Sequence, residues 1–591
     1  MVLKFKQRKE YFTSLAKSLS LKLIYLRIVF FIFILIFLWF HIYMANNTKT
    51  TYFEFLGFFS IVTILVILAR LHSYFSNQQK WYVFLAEVNS DEIDILEKNI
   101  KNIYGGENFI DKSHPYAVDL DFFGDFSIFK FVNRTSLCFS RLKLTEWLLK
   151  KADTTQTITD RQMTIKALAQ NIDFVQNFIA LGKLCLSTTK NIDIAGLFDF
   201  LQSKNNIPNI KTIYLCLHLV IFLLSVIFLP NNLLVSASII FLTINFFILN
   251  KLKKSISETF TSFTYYSKII QTYAKCASSI EKLNISADLI NKNKKILLND
   301  SASNQLEKLH NLLKFVEVRK NPLYALLNSV LCIDFWMLKK LSIWKEKNGN
   351  LFKPWINAIT ELDVLNSAAA LYIANPHMIF AEITEKESSL SMVDAKHPFI
   401  PNEKQVGNSF EMTQKGEICL LTGANMGGKS TLLKSIGVNL VLSLAGFPAF
   451  ASSIQTSKFS LFTSMKHQDS LQSGESLFYT EIKKIKDILD NISHNSNNIF
   501  LFDEILRGTN SDDRYKGSKY IIEKLQKMNA TGWVATHDLQ LGNLPNITNY
   551  SFNSTIKNGK VNFNHSLMNG ICNSFTAIDL MKEIGIIDEQ I

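Results

Sequence analysis
Apolar and polar positions alternate in three different ways along this chain. The first is the unbroken apolar run. Ile28 to Ala45 is apolar throughout except for His41, and Phe55 to Ala69 follows, extendable through Tyr52 and Phe53 past Glu54. A second pair covers Thr212–Leu229 and Leu233–Leu249, separated by the tight turn Pro230-Asn231-Asn232. Runs of about 18 residues at about 1.5 Å each come close to the thickness of a hydrocarbon core. They predict two helical hairpins and four membrane spans, with soluble core helices as the alternative. The second pattern has helical spacing. Stretches 76–205 and 255–375 are mixed polar and apolar, with Leu306, Leu309, Leu312, Leu313 and Val316 on one face. In the third, residues 376–591 switch to short apolar strands alternating with helices, which suggests an α/β domain with a parallel sheet. The expected order is a basic N-terminus and first hairpin (1–75), helical core (76–210), second hairpin (211–250), helical core again (251–375) and the α/β domain (376–591).

Composition sharpens this picture. At 591 residues the chain is long enough for three or four units. Hydrophobic residues make up 48%, charged residues only 19%, and there are 47 Phe, a balance that points to membrane segments. Seven cysteines are scattered without a C-x-x-C pair, so neither a zinc site nor a disulfide framework is expected, in keeping with a reducing compartment. The net charge of +13 suits nucleic acid and the anionic inner face of a membrane alike. Lys22, Arg27, Arg70, Lys204, Lys211, Lys251, Lys253 and Lys254 flank the apolar pairs. The turns within the pairs carry only Lys49 and Glu54. The positive-inside rule therefore predicts a multi-pass membrane protein with its N-terminus and C-terminal domain in the cytoplasm. A cleaved signal peptide is not expected, because the first apolar run is too long and lacks a small-residue cleavage site.

The chemistry gathers in the last third. Thr422-Gly423-Ala424-Asn425-Met426-Gly427-Gly428-Lys429-Ser430-Thr431 reads G-x-x-x-x-G-K-S, a phosphate-binding loop between a short apolar run (417–421) and a helical pattern (432–444). Its backbone N–H groups and the helix N-terminus would face phosphate oxygens, Lys429 would reach the β- and γ-phosphates of ATP, and Ser430 would hold Mg2+. Asn498–Phe502 is a buried-strand pattern ending in Asp503 and Glu504. Asp503 would support the metal and Glu504 would polarise the attacking water. Trp533–Thr536 is a third strand, and His537 at its end could sense the γ-phosphate. Between them a Ser473-Gly474-Glu475-Ser476 turn opens an amphipathic helix. By itself that turn is an ordinary N-cap. In a dimer it could offer Ser473 and Gly474 to the nucleotide of the other subunit.

Taken in order, T-G-x-N-M-G-G-K-S-T, S-G-x-S-x-F-x-x-E, D-E-x-x-R-G-T and A-T-H resemble the MutS family of mismatch-repair ATPases. Ala395-Lys396-His397-Pro398 and Leu567-Met568-Asn569-Gly570, with Ser574 and Ala577 beyond, resemble the flanks of its ATPase domain. His114–Leu120, Asn133-Arg134-Thr135 and Leu362–Ser367 resemble its helical core. The resemblance implies a P-loop NTPase domain of ABC-like type, ATP and Mg2+ as cofactors, and a homodimer. In that family a Phe-x-Glu wedge near the N-terminus reads mismatches, and here that place holds the first apolar hairpin. The expectation is thus a membrane-anchored ATPase facing lipid, with DNA left open as a partner. A soluble DNA mismatch sensor is the alternative, and a transporter or scaffold using the same engine the lesser one.

Overall fold
The computed structural model describes residues 1–46, 52–101, 103–186, 266–318, 333–424, 427–465, 477–493, 497–557 and 560–573, with single positions at 196, 198, 201, 220, 224, 227, 236, 243, 324, 327, 328, 581 and 586. The second apolar pair, at 212–249, lies almost wholly outside the described residues, as do Ser574 and Ala577.

Two long helices open the chain, α1 (Val2–Asn46) and α2 (Tyr52–Leu96). Each joins an apolar run to a polar one without a break, so the expected boundary at 75 falls inside α2. The two helices pack side by side. Phe37 and Phe58 rings lie 5.4 Å apart, and a Cβ on Gly57 would come within 3.0 Å of Phe40. Both helices are long and apolar enough to cross a membrane, and their most apolar windows are only 6% and 0% buried.

The polar ends dock on the helical core. Phe5 packs against Ile93 and Ala374. Arg8 donates to Asp173 and Gln176, and Gln176 exchanges hydrogen bonds with buried Asn89. The core comprises α3 (Ile128–Val132), α4 (Cys138–Leu149), α5 (Thr155–Ala169), α6 (Ile172–Leu186), a helical stretch over 266–281, α7 (Asp288–Leu298), α8 (Ala302–Val318) and α9 (Ile333–Ala374). In α8, Leu306, Leu309 and Leu313 face inward as their spacing predicts. The long α9 is the spine against which α4, α5, α6 and α7 pack. It also ties two distant motifs together. Arg134 N–H donates to Ser367 Oγ at 2.7 Å, while Ser136 and Leu137 N–H both donate to Asp363 Oδ2 at 3.0 Å. Arg134 then forms a buried fork with Glu92 of α2, at 3.0 and 3.1 Å.

The α/β region holds two sheets. The larger has the strand order β10 (Lys560–Asn569), β9 (Ile547–Lys557), β4 (Ile418–Gly423), β8 (Thr531–Thr536), β7 (Asn498–Asp503), β6 (Ser460–Ser464). It is parallel except for the β9–β10 edge pair. Its central strands are buried on both faces, which explains their continuous apolar runs. Helices α10 (Lys429–Ala445), α11 (Leu477–Ser493) and α12 (Ser511–Lys527) connect them. A smaller mixed sheet, with the order β1 (Glu382–Thr384), β5 (Ser453–Ser457), β2 (Leu390–Ala395), β3 (Asn408–Met412), was not foreseen. Its strands are short and only half buried, so they leave an alternating pattern in place of an apolar run. One apolar core runs from the helical bundle into the face of the large sheet, with Leu120, Phe122 and Phe131 beside Leu433, Ile436 and Phe450.

Candidate functional site
The strand order decides where the side chains meet. β4 and β7 are not neighbours, because β8 lies between them. The chain leaving these three parallel strands therefore presents Lys429, His537 and Glu504 in a row beyond the C-terminal ends of the strands. His537 Nε2 lies 2.8 Å from Glu504 Oε1 and 3.2 Å from Lys429 Nζ. One ring nitrogen cannot serve both contacts. An ionised carboxylate can only accept, so the ring N–H is assigned to Glu504, and Lys429 Nζ donates to Gly423 O at 2.8 Å and Ala424 O at 3.1 Å. That hydrogen bond is the main reason the Glu504 carboxyl sits below the usual range, helped by the charges of His537, Arg507 and Lys429. Arg507 Nε binds the other oxygen, Glu504 Oε2, at 3.1 Å.

The loop between β4 and α10 is shaped for close backbone approach. Gly423 and Gly428 hold φ of 155° and 111°. A Cβ on Gly423 would come 2.9 Å from Phe552 O, so no other residue fits beneath the loop. Helix α10 begins at Lys429 with no side-chain cap and no acidic residue in its first turn. Its N–H groups and positive dipole end thus remain directed at whatever lies before them. Burial holds the Lys429 ammonium below its ordinary pKa, partly offset by Glu504 and Asp503. Asp503, at the end of β7, is hydrogen-bonded by Ser430 of α10, and burial raises its pKa.

A nucleoside triphosphate with magnesium fits these residues. The glycine cradle and uncapped helix end suit phosphate, and the paired Ser430 hydroxyl and Asp503 carboxylate are hard oxygen donors of the kind magnesium takes. Gly427 and Thr431 complete the described part of the loop. Asn425, Met426, Ser473 and Gly474 lie outside the described residues.

Further residues surround the site. His565 of β10 places Nδ1 3.1 Å from Gly427 O. Thr422 Oγ1 accepts from Cys572 N–H at 2.9 Å. Buried Glu481 of α11 accepts from Leu506 N–H at 2.7 Å. Glu481 and Arg507 stand within the motifs of the sequence, as do their partners Leu506 and Glu504, but no spacing tells that α11 meets the Glu504 loop. Phe552 and His565 carry no local signal, since they reach the loop only through the β9–β10 hairpin.

Residues 419–591 match the family model described as MutS domain V. Over 283 residues the chain is 28% identical to the DNA mismatch repair protein MutS of Prochlorococcus marinus strain NATL1A, covering 45% of this chain and 30% of that protein. It is 28% identical over 235 residues to Endonuclease MutS2 of Fusobacterium nucleatum, covering 38% of this chain and 29% of the relative. A MutS of Lactobacillus johnsonii is 29% identical over 238 residues, covering 39% and 27%. The chain thus spans less than a third of the length of these relatives. Its C-terminal domain, residues 419–591, is a MutS-family domain.

Proposed function
We propose that the chain is a membrane-anchored ATPase that binds MgATP at the C-terminal ends of β4, β8 and β7 and works as a dimer of its nucleotide domains. The observation that carries the ATPase reading is the row Lys429–His537–Glu504, brought together by the β4–β8–β7 order. Backbone N–H groups of the loop through Gly423, Ala424, Asn425, Met426, Gly427 and Gly428, with those of Lys429, Ser430 and Thr431, bind phosphate oxygens. Lys429 Nζ donates to the β- and γ-phosphates. Ser430 Oγ and Asp503 hold magnesium, which neutralises phosphate charge when bound. Glu504, kept ionised by His537 and Arg507, orients a water through one carboxylate oxygen and accepts its proton. His537 Nε2–H holds that carboxylate in place and stands where the terminal phosphate would be sensed.

The relatives' names speak of mismatch repair and endonuclease activity. For this chain DNA stays open as a partner. Membrane anchoring draws support from the exposure of the apolar windows of α1 and α2, which a soluble core helix would bury. Exposed Tyr25, Tyr74, Lys22, Arg27 and Arg70 mark one end of the apolar zone, and exposed Trp39 and Tyr43 the other. From Tyr25 to Tyr43 is about 27 Å along a helix, close to a hydrocarbon thickness of about 30 Å with aromatic belts at both faces.

One experiment tests the engine and the dimer together. ATP hydrolysis is measured for the detergent-purified chain, for Lys429→Ala, for Ser473→Arg and for the two variants mixed. The wild type should hydrolyse ATP and each variant should not. The mixture should recover part of the activity, because one composite site keeps both intact halves. Wild-type-like hydrolysis by Lys429→Ala would remove the ATPase assignment. Inert mixed dimers would remove the shared site.

A further inference from the structure
Glu504 rests on a short left-handed stretch of chain. Glu504 and Leu506 have φ of 54° and 60°, a conformation that non-glycine residues keep only where neighbours enforce it. Three contacts do so. Glu504 N–H donates to Ala535 O at 2.9 Å. The buried Leu506 side chain sits over Gly517 of α12, where a Cβ would come 2.3 Å from Leu506 Cδ1. Leu506 N–H donates to Glu481 Oε1 at 2.7 Å, and Glu481 is only 8% exposed.

Glu481 lies on α11 one turn before Lys484. Lys484 Nζ reaches Asp119 Oδ2 at 2.7 Å. Asp119 belongs to the segment leading into the helical core and is 2% exposed. The same oxygen accepts from Thr463 Oγ1 at 2.7 Å and Met465 N–H at 3.1 Å, at the end of β6. One turn of α11 thus grips the Glu504 loop at one residue and the helical region at another.

We propose, on the basis of the ATPase reading above, that Glu481 is a positioning residue for Glu504 and that the Asp119–Lys484 pair makes this position depend on the helical core. A shift of Asp119 against the sheet turns α11 through Lys484. That turn withdraws the Glu481 carboxylate from Leu506 N–H, the left-handed stretch relaxes, and Glu504 leaves its place beside His537. The helical core thereby sets the hydrolysis rate without touching nucleotide.

The test uses the full chain in detergent with Glu481→Ala, Glu481→Gln, Asp119→Asn and Lys484→Met. Two quantities are read, the amide hydrogen exchange of residues 503–508 and kcat alongside ATP affinity. Glu481→Ala should speed exchange at Leu506 and lower kcat by about 10- to 100-fold, the scale of a small misplacement of a reacting group, while ATP affinity holds. Glu481→Gln, still an acceptor, should recover most of the rate. Asp119→Asn and Lys484→Met should each speed exchange at Leu506, and neither should add to Glu481→Ala, because they act in series. Wild-type exchange at Leu506 in both Asp119→Asn and Lys484→Met would overturn the proposal. So would a fall of affinity in step with kcat in Glu481→Ala. A wild type that hydrolyses no ATP would defeat the ATPase reading, whereas the exchange measurements would still decide whether α11 holds the loop.

Discussion
Two carboxylates illustrate how position sets chemistry at the level of single residues. Glu504 is held ionised by a histidine N–H and an arginine, so it is ready to accept a proton at neutral pH. Glu504→Gln keeps the shape but loses the basic oxygen. It should bind ATP and hydrolyse it about 100- to 10,000-fold more slowly, the usual contribution of a general base, in single-turnover measurements. Asp363 is the opposite case, a fully buried acid in α9 whose pKa burial raises from 3.8 to about 6, against the pull of its hydrogen bonds. The folded state therefore binds its proton more tightly than the unfolded state. The charged form costs stability at neutral pH, and that cost is relieved as pH falls through about 6. Between pH 7 and 5 the wild type should gain about 1 kcal/mol relative to Asp363→Asn. Denaturant midpoints at the two pH values check this, and equal pH slopes would contradict it. The loop, the acid pair and His537 were legible in the sequence as motifs because each follows a short apolar run, and the structure sets each at the end of a buried strand. Glu481, Asp119 and Phe552 were not legible in these roles, because each acts on a partner 25 or more positions away.

The elements were readable in proportion to how completely they are buried. Strands β4, β7 and β8 are covered on both faces and stood out as apolar runs, and α8 stood out by its leucine spacing. The four-stranded sheet is half buried and left little trace. The uninterrupted length of α1 and α2 was also hidden, since composition changes midway along each helix while the backbone does not. What no local pattern gives is the order of the strands, and this is what lines up the site. Gly532 shows how tightly that order is packed. It pairs with Phe500 across β8 and β7, and an added Cβ would lie 2.3 Å from Phe500 O, a backbone atom that cannot step aside. Gly532→Ala should destabilise the sheet by about 2 kcal/mol, within the range for overpacking. Because the strain falls between the strands carrying Glu504 and His537, ATP turnover should drop along with the melting temperature. A variant with wild-type stability and turnover would show that the two strands yield.

At the level of the whole molecule, the arrangement is a long apolar hairpin docked by its polar end onto an ATPase-like body. Arg8, Asn89 and Gln176 fasten α1 and α2 to α6, while Lys98 donates to Ile400 O between β2 and β3 of the α/β domain. On the proposal that the apolar ends span a bilayer, the body would lie on the side of the basic flanks, which the positive-inside rule would make cytoplasmic. Residues near 46–54 and 230–232 should then face outward, of which 47–51 and 230–232 lie outside the described residues. In a cysteine-free background, a single cysteine at Asn47 or Asn231 should react with an impermeant thiol reagent on intact cells. One at Ser511, the first residue of α12, should react only after lysis. Labelling of Ser511→Cys on intact cells would invert the orientation. Release of the whole protein by alkaline carbonate would remove the spans, and the exposed faces of α1 and α2 would then need a protein partner to cover them, returning the soluble DNA-sensor reading to the front.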